Sequence, residues 1–325
     1  MENIMPHYPH ERVVNPIYDE GFKLIFGREG VSEPLLKDLL NSIFADDPVL
    51  GNIEQVQFIN IEKQNEIKDG RGLRYDIRCL TSTGHHFIVE MQKAEQHHFT
   101  ERCIYYLSRD ISDQGYKGTN ENGDNWDFSL TPVVGLFICN FSERELADQP
   151  VVYGRLMDEH SYQPIGDYVR YVFIQLPWFQ KSEEDCNLRT DKWIYNIKNM
   201  GTTQSVAFRT NDDIFKYLHS VSNVAALDAD ERNVYEAALM RARDYNAQMK
   251  FAEDKAMSIG LAKGIAQGRA EGRAQGLEEG RAEGRAEGQR DLVKNLLELN
   301  VPLSVIASAS GLTEDEILHI SQQKI

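Results

Sequence analysis

Three polar side chains in one short stretch have the types and spacing to hold a cation. They are Asp76, Glu90 and Gln92, within LRYDIRCLTSTGHHFIVEMQK at 73–93. The stretch reads as two strands, LRYDIRCL and HHFIVEMQ, joined by a polar turn containing Gly84. A three-residue loop of Ser82, Thr83 and Gly84, with glycine in the left-handed conformation, pairs residues whose numbers sum to 166 and sets Asp76 opposite Glu90. Alternation then puts Tyr75, Ile77 and Cys79 with Phe87, Val89 and Met91 on an apolar face. The other face carries Arg74, Asp76 and Arg78 against Gln92, Glu90 and Ile88, with the two carboxylates' Cβ atoms about 4.5–5.5 Å apart.

Two like charges at that range need a positive partner. Arg74 and Arg78 would supply it as a salt-bridge lattice on a solvated face, each exposed pair worth about 0–1 kcal/mol. A divalent cation between Asp76 and Glu90 is the alternative: Mg²⁺ binds one or two carboxylates and keeps waters, leaving room for a phosphate oxygen and an attacking hydroxide.

Elsewhere the chain supplies elements to position such a pair. Asn15-Pro16 offers a helix start, with Phe22, Ile25 and Phe26 as its apolar stripe, an end near Gly27, and Asp19 one turn from Lys23, close enough to pair with it. Ser32 caps a second helix that buries Leu35, Leu36, Leu39, Leu40, Ile43 and Phe44. Val56, Phe58, Ile59 and Ile61 form a strand, followed by a polar loop at 62–71. After Gln92 a helix runs from about Phe99 to Gln114, with Phe99, Arg102, Cys103 and Tyr106 on one face and Ile104, Leu107 and Ile111 on another. Adjacent His97 and His98 read as solvated loop residues. A polar loop at 117–129 leads to TPVVGLFICNF at 131–141, a strand covered on both faces, and DYVRYVFIQLPWF at 167–179 is another, ending at Pro177. The segment 142–166 reads as loop and short helix, and helices follow at about 189–200 and 211–220.

Taken together, IYDEGFKLIFG at 17–27, LLKDLLNSIF at 35–44, YDIRC at 75–79, IVEMQ at 88–92 and HFTERCIYYLSR at 98–109 resemble, in order and spacing, the PD-(D/E)XK nuclease superfamily. The closer resemblance is to its Rpn group of recombination-promoting nucleases, the PDDEXK-type transposases. It implies a restriction-endonuclease-like α/β core, a mixed central sheet flanked by helices, that hydrolyses DNA phosphodiesters with Mg²⁺ or Mn²⁺ in recombination or mobile elements. By the same resemblance Asp76 and Glu90 hold the metal, Gln92 orients the water or the phosphate, and Asp19, the acid of the family's first-helix D-x-x-F-K pattern, is a third acid at the metal. Lys23 matches that pattern's lysine and, with Arg102, is a candidate for substrate binding; Arg102 as a neutralising partner of the acidic face is equally open. The wider superfamily usually has lysine at the position of Gln92, whereas Rpn-like members commonly have glutamine. Lys93 cannot substitute from its neighbouring strand position, which points to the other face; Lys23 can reach.

With 325 residues the chain exceeds one average domain. Its net charge of −16 opposes loose binding to DNA, so a DNA enzyme of this balance must concentrate cations locally. Four scattered cysteines with no CxxC pair read as buried thiols in a reducing compartment. The absence of an apolar leader or long apolar run gives the expectation of a cytoplasmic protein away from membranes.

From about Asp228 helix formers dominate, and Gly260 through Gly288 recur every fourth residue, with the tetrad G-R-A-E at Gly268, Gly280 and Gly284. On a helix, like faces like, and eight glycines weigh about 6–8 kcal/mol against it. A partner helix would offset that, so the repeat reads as a self-associating helix. The tail after 290 reads as three short helices with breaks at Asn300-Val301-Pro302 and Gly311, and a Thr313/Glu316 capping box. It is helix-turn-helix-like, but its last helix begins with acids that repel phosphate. The expected organisation is a lead-in at 1–14, the nuclease-like domain at 15–225, a long helix at 226–290 and a small helical tail at 291–325. Two other classes stay open: a catalytically silent nuclease fold that binds or regulates, and an assembly factor acting through the glycine helix.

Overall fold

Period-two alternation on the central strands buries both faces of one sheet, as seen in a computed structural model that describes residues 12–59, 75–116 and 129–322. The chain divides into two units, Met1–Ala242 and Arg243–Ile325. In the first, the strands are β1 (Val56–Phe58), β2 (Ile77–Thr81), β3 (His86–Gln92), β4 (Val133–Cys139), β5 (Val151–Arg155) and β6 (Val169–Gln175). They lie in the order β1-β2-β3-β4-β6-β5, with β3, β4 and β6 parallel and the other pairs antiparallel.

Every residue of β4 is buried. Val134, Leu136 and Ile138 join the larger core with Phe87, Val89, Met91, Val172 and Ile174, under α1 (Asp19–Phe26), α2 (Glu33–Ile43), α4 (Arg189–Thr203) and α5 (Asp213–Ser222). Val133, Phe137 and Cys139 point the other way, into a second cluster with Ile88, Phe173 and Phe99, Cys103, Tyr106 and Leu107 of α3 (Phe99–Tyr116). Each fully buried large apolar side chain contributes about 1.5–3 kcal/mol. Gly135 brings α3 close to the sheet, because a Cβ there would press into Leu107 and Phe137.

The expected mixed sheet with flanking helices is therefore present, with differences in detail. Residues 12–14 belong to the core rather than to a lead-in: Val13 and Val14 are buried, and the Val14 N–H donates to the Ser222 carbonyl. The first helix begins at Asp19, later than expected, because Asn15 spends its side chain on a turn, its Oδ1 accepting from the Ile17 N–H. Ser32 precedes α2, but its Oγ accepts from the Arg28 N–H rather than from the helix. Leu107 packs with Phe99, Cys103 and Tyr106, whereas Ile104 is exposed. The segment 142–166 holds β5, an edge strand paired to β6. The loop at 62–71, Arg74 and residues 117–128 lie outside the described residues.

Asn15 locks the layers beside the site. Its N–H donates to the Tyr235 hydroxyl at 2.8 Å, and both Gly21 of α1 and Gly201 of α4 press against it so closely that a Cβ on either would collide. Tyr235 belongs to the start of α6 (Ala229–Glu298), where Glu231 and Glu236 also pair with Arg28 and Arg12.

The second unit begins within α6 and continues through α7 (Leu303–Ser310) and α8 (Glu314–Gln322). The first of the three expected tail helices is the end of α6. Val293, Ile306 and Ile317 form a small core, and Asn300 and Gly311, both at positive φ, make the breaks. Thr313 and Glu316 cap α8 reciprocally, at 2.8 and 3.3 Å. From Gly260 to Gly288 the glycine row faces open space, with nothing within 4 Å of an added Cβ.

Glycine substitutions separate these two environments. Gly21→Ala is expected to destabilise the first unit by about 1–3 kcal/mol, since the obstructing atom is backbone. Gly272→Ala is expected to strengthen α6 by about 0.8–1 kcal/mol. Denaturant titration followed by circular dichroism measures both; equal effects would contradict the contrast.

Candidate active site

The hairpin that carries the acids has the register that its turn dictates. Ile77 pairs with Val89, Arg78 with Ile88, Cys79 with Phe87 and Leu80 with His86. Thr81 and His85 close the loop, and Gly84 sits at φ +82°, where an L side chain is strained.

At the open end the alternation breaks. Tyr75, expected beside Ile77, turns instead to the α3 face and meets Tyr106 edge-on, ring centroids 5.1 Å apart. Asp76 lies just outside the ladder and is joined to β3 by a reciprocal pair of hydrogen bonds. The Asp76 N–H donates to Glu90 Oε1 at 3.0 Å, and the Met91 N–H donates to Asp76 Oδ2 at 2.9 Å. Each acid is thus fixed by the other's strand.

Cations reach the pair from both layers. Lys23 of α1 places its Nζ 3.2 Å from Asp76 Oδ1. This corrects the expected pairing of Lys23 with Asp19, which acts on Asp76 and Lys23 only through its field. From α3, Arg102 donates to Gln92 Oε1 and lies 3.8 Å from Glu90 Oε2, its guanidinium over the Tyr106 ring. Gln92 therefore keeps its amide NH₂ for a further acceptor. Arg78, expected as a partner of the acids, instead pairs with Asp110 of α3, both buried, and His86 Nδ1 meets the same carboxylate at 2.8 Å. Arg102, Tyr106 and Asp110 recur every four residues, so one face of α3 is fastened along the hairpin.

A cavity of about 270 Å³ opens beside Asp76, lined by Gly27, Glu29, Phe58, Ile59, Ile77 and Arg78. Glu29 is an acid that sequence reasoning passed over; it carries no signal beyond its position in a short Gly-Arg-Glu-Gly turn. Asp19 does not join Asp76 and Glu90: among the described residues no three His, Cys, Asp or Glu side chains converge as a metal site. His98 pairs with Glu101 in the open, as a solvated residue would.

Burial makes the two acids costly to ionise together. Burial, then the Asp76 charge, pushes Glu90 up to about 8, against the pull of Arg102 and Lys23. Burial also raises Asp76, despite its bond from Met91 and the Lys23 charge. Two neighbouring carboxyl groups held in place by backbone N–H donors are oxygen ligands of the kind a hard divalent ion takes.

A pH test follows from the direction of the Glu90 shift. A carboxylate whose folded pKa exceeds its unfolded value contributes stability below about pH 4.5 that is lost as pH rises through about 8. In metal-free buffer, Glu90→Gln, whose amide oxygen still accepts from Asp76, is expected to be more stable than wild type at about pH 9. The gap should be on the order of a few kcal/mol and close by about pH 5. Thermal unfolding across that range measures it; a constant gap would contradict the burial of a charge.

No curated protein and no solved structure shows a significant match to the chain. A family model described as PD-(D/E)XK nuclease family transposase matches residues 16–252, a span that contains the sheet, the reciprocal acids and both flanking cations. The chain therefore belongs to the PD-(D/E)XK nuclease family transposases.

Proposed function

We propose that the protein is a metal-dependent endonuclease that hydrolyses DNA phosphodiesters in recombination or in the movement of mobile elements. The observation that carries this reading is the bonding that holds the two acids side by side, the Asp76 N–H donating to Glu90 and the Met91 N–H to Asp76, in a largely buried place. Asp76 and Glu90 would hold Mg²⁺ or Mn²⁺, which when bound acidifies a water and offsets negative charge on the phosphate. The chain's own groups do the rest. Arg102 holds Gln92 by its oxygen, which aims the amide NH₂ at the water or a phosphate oxygen. Lys23 brings an ammonium to the Asp76 side and Arg102 a guanidinium to the Glu90 side, the local positive charge that a chain of net −16 needs to receive a phosphate. Asp19 contributes through its field on Asp76, Lys23 and Lys93.

Plasmid nicking with Mg²⁺ or Mn²⁺ tests this directly. Asp76→Ala and Glu90→Ala are each expected to lower the rate by about 10²-fold or more, and Lys23→Met and Arg102→Met by less, as for the loss of one electrostatic stabiliser. Equal nicking by wild type and Glu90→Ala would support the silent-fold alternative instead.

Self-association through the glycine-repeat helix belongs to the same reading, supported by a row of glycines open to close approach. Light scattering is expected to give the full chain a mass above 37.2 kDa, reduced when Gly272 and Gly276 are both changed to Leu. An unchanged mass in that variant removes this role.

A further inference from the structure

Lys93 is the first residue beyond β3, one step past Gln92. Its backbone is pinned by Asn140 at the end of β4, whose N–H donates to the Gln92 carbonyl at 2.9 Å and whose Nδ2 donates to the Lys93 carbonyl at 3.5 Å. The side chain leaves the strand on the α1 side, where its Nζ rests over the ring of Tyr18, 4.5 Å from the centroid. Tyr18 is the N-cap of α1, next to Asp19 and five residues before Lys23.

The ammonium differs from the other cations of the site in its partner. Lys23 and Arg102 each have a carboxylate within ion-pair range, whereas among the described residues none lies within 4.0 Å of Lys93 Nζ. Asp19 acts on it, but from beyond that range. In a chain with 51 acids and 35 bases, a half-buried ammonium supported by an aromatic face and left without a carboxylate is held ready for an anion.

Its place sets which anion that is. Glu90 and Lys93 are separated by three residues, about 10 Å along an extended chain. One strand of a DNA duplex advances about 3.4 Å per nucleotide, so that distance spans about three nucleotides. We propose that Lys93, seated on Tyr18, binds a backbone phosphate of the DNA strand within about three nucleotides of the bond held at Asp76 and Glu90. This rests on the nuclease reading of the acids and extends it, with Lys93 as a binding residue and Tyr18 as the residue that positions it.

The test is the salt dependence of binding, which counts phosphate contacts and does not respond to a merely structural role. The full chain is titrated into a short fluorescent DNA duplex in EDTA at several NaCl concentrations, with anisotropy as the readout. Lys93→Gln is expected to reduce the slope of log K against log salt by about 0.9 and to weaken binding about eightfold at about 0.1 M salt, while Lys93→Arg keeps both. Lys93→Met is the second neutral variant if the first fails to fold. Neutral variants with wild-type slope and affinity, in a protein that still nicks plasmid in a Glu90-dependent way, overturn the assignment and leave the acid pair untouched. A wild type that neither binds the duplex nor nicks overturns the nuclease reading, and the assignment with it.

Discussion

Two carboxylates do not stay side by side away from water unless something holds them against their repulsion, about 4 kcal/mol for unit charges 4 Å apart at an effective dielectric of 20. Here the backbone does much of the holding. Asp76 gives its N–H to Glu90, and Met91, next to Glu90, gives its own to Asp76. Hydrogen bonds to charged groups are worth about 1.5–3 kcal/mol each, so two of them and the nearby cations are of the size required. That exchange is possible only because the chain leaves the ladder at Asp76, freeing an N–H that a regular strand would give to its neighbour. The remaining features of the first unit serve this corner. Asn15, wedged against Gly21 and Gly201, fixes the helix that delivers Lys23, and the buried Arg78–Asp110 pair fixes the one that delivers Arg102.

Much of the hairpin was legible because its signals are local. A glycine three residues past the strand and strict alternation on both sides leave one register, and the observed pairs obey it. The doubly covered β4 was legible for a similar reason, as an unbroken apolar run. What escaped depended on distant partners. Alternation puts Tyr75 on the wrong side because Tyr75 lies two residues past the ladder's end, where Tyr106 on another element decides its direction. Lys23 has an acid one turn away in Asp19, yet bonds to Asp76, more buried and already tied to β3. Edge strand β5 has one solvated side and mixed residues, so neither periodicity nor composition marks it.

The glycine repeat shows how a plain period constrains assembly. At 100° per residue a four-residue step advances 400°, so each glycine lies about 40° around the helix from the last. Over the eight from Gly260 to Gly288 the row winds through about 280°. A straight, nearly parallel partner would therefore meet two or three glycines and then lose the row. A partner that follows it farther must coil around it with a right-handed sense, as repeats longer than 3.6 residues demand. Arg269, Arg273, Arg281 and Arg285 wind in step with it on one side and Glu271, Glu279, Glu283 and Glu287 on the other, interrupted at Leu277 and Gln275. A partner on that path would meet charge along much of it, and apolar residues in place of arginine in the first two tetrads.

The glutamine at position 92 acquires a physical sense from α3. In the wider superfamily a lysine usually stands there and brings positive charge to the acids from the strand itself. In this chain that charge arrives from the flanking layers, as Arg102 on one side and Lys23 on the other, and Gln92 accepts a hydrogen bond from Arg102. A lysine has no acceptor and would set its ammonium against the guanidinium, in a place where the strand side chain is 9 % exposed and solvent gives little screening. Gln92 and Arg102 are therefore one device: the amide oxygen steers the arginine, and the arginine supplies what the amide lacks. The same division explains the tight fastening of α3. A cation on the strand would be placed by the sheet alone, whereas one carried on a helix is placed only as well as the helix is, and Tyr106 and Asp110 continue the hold along the same face.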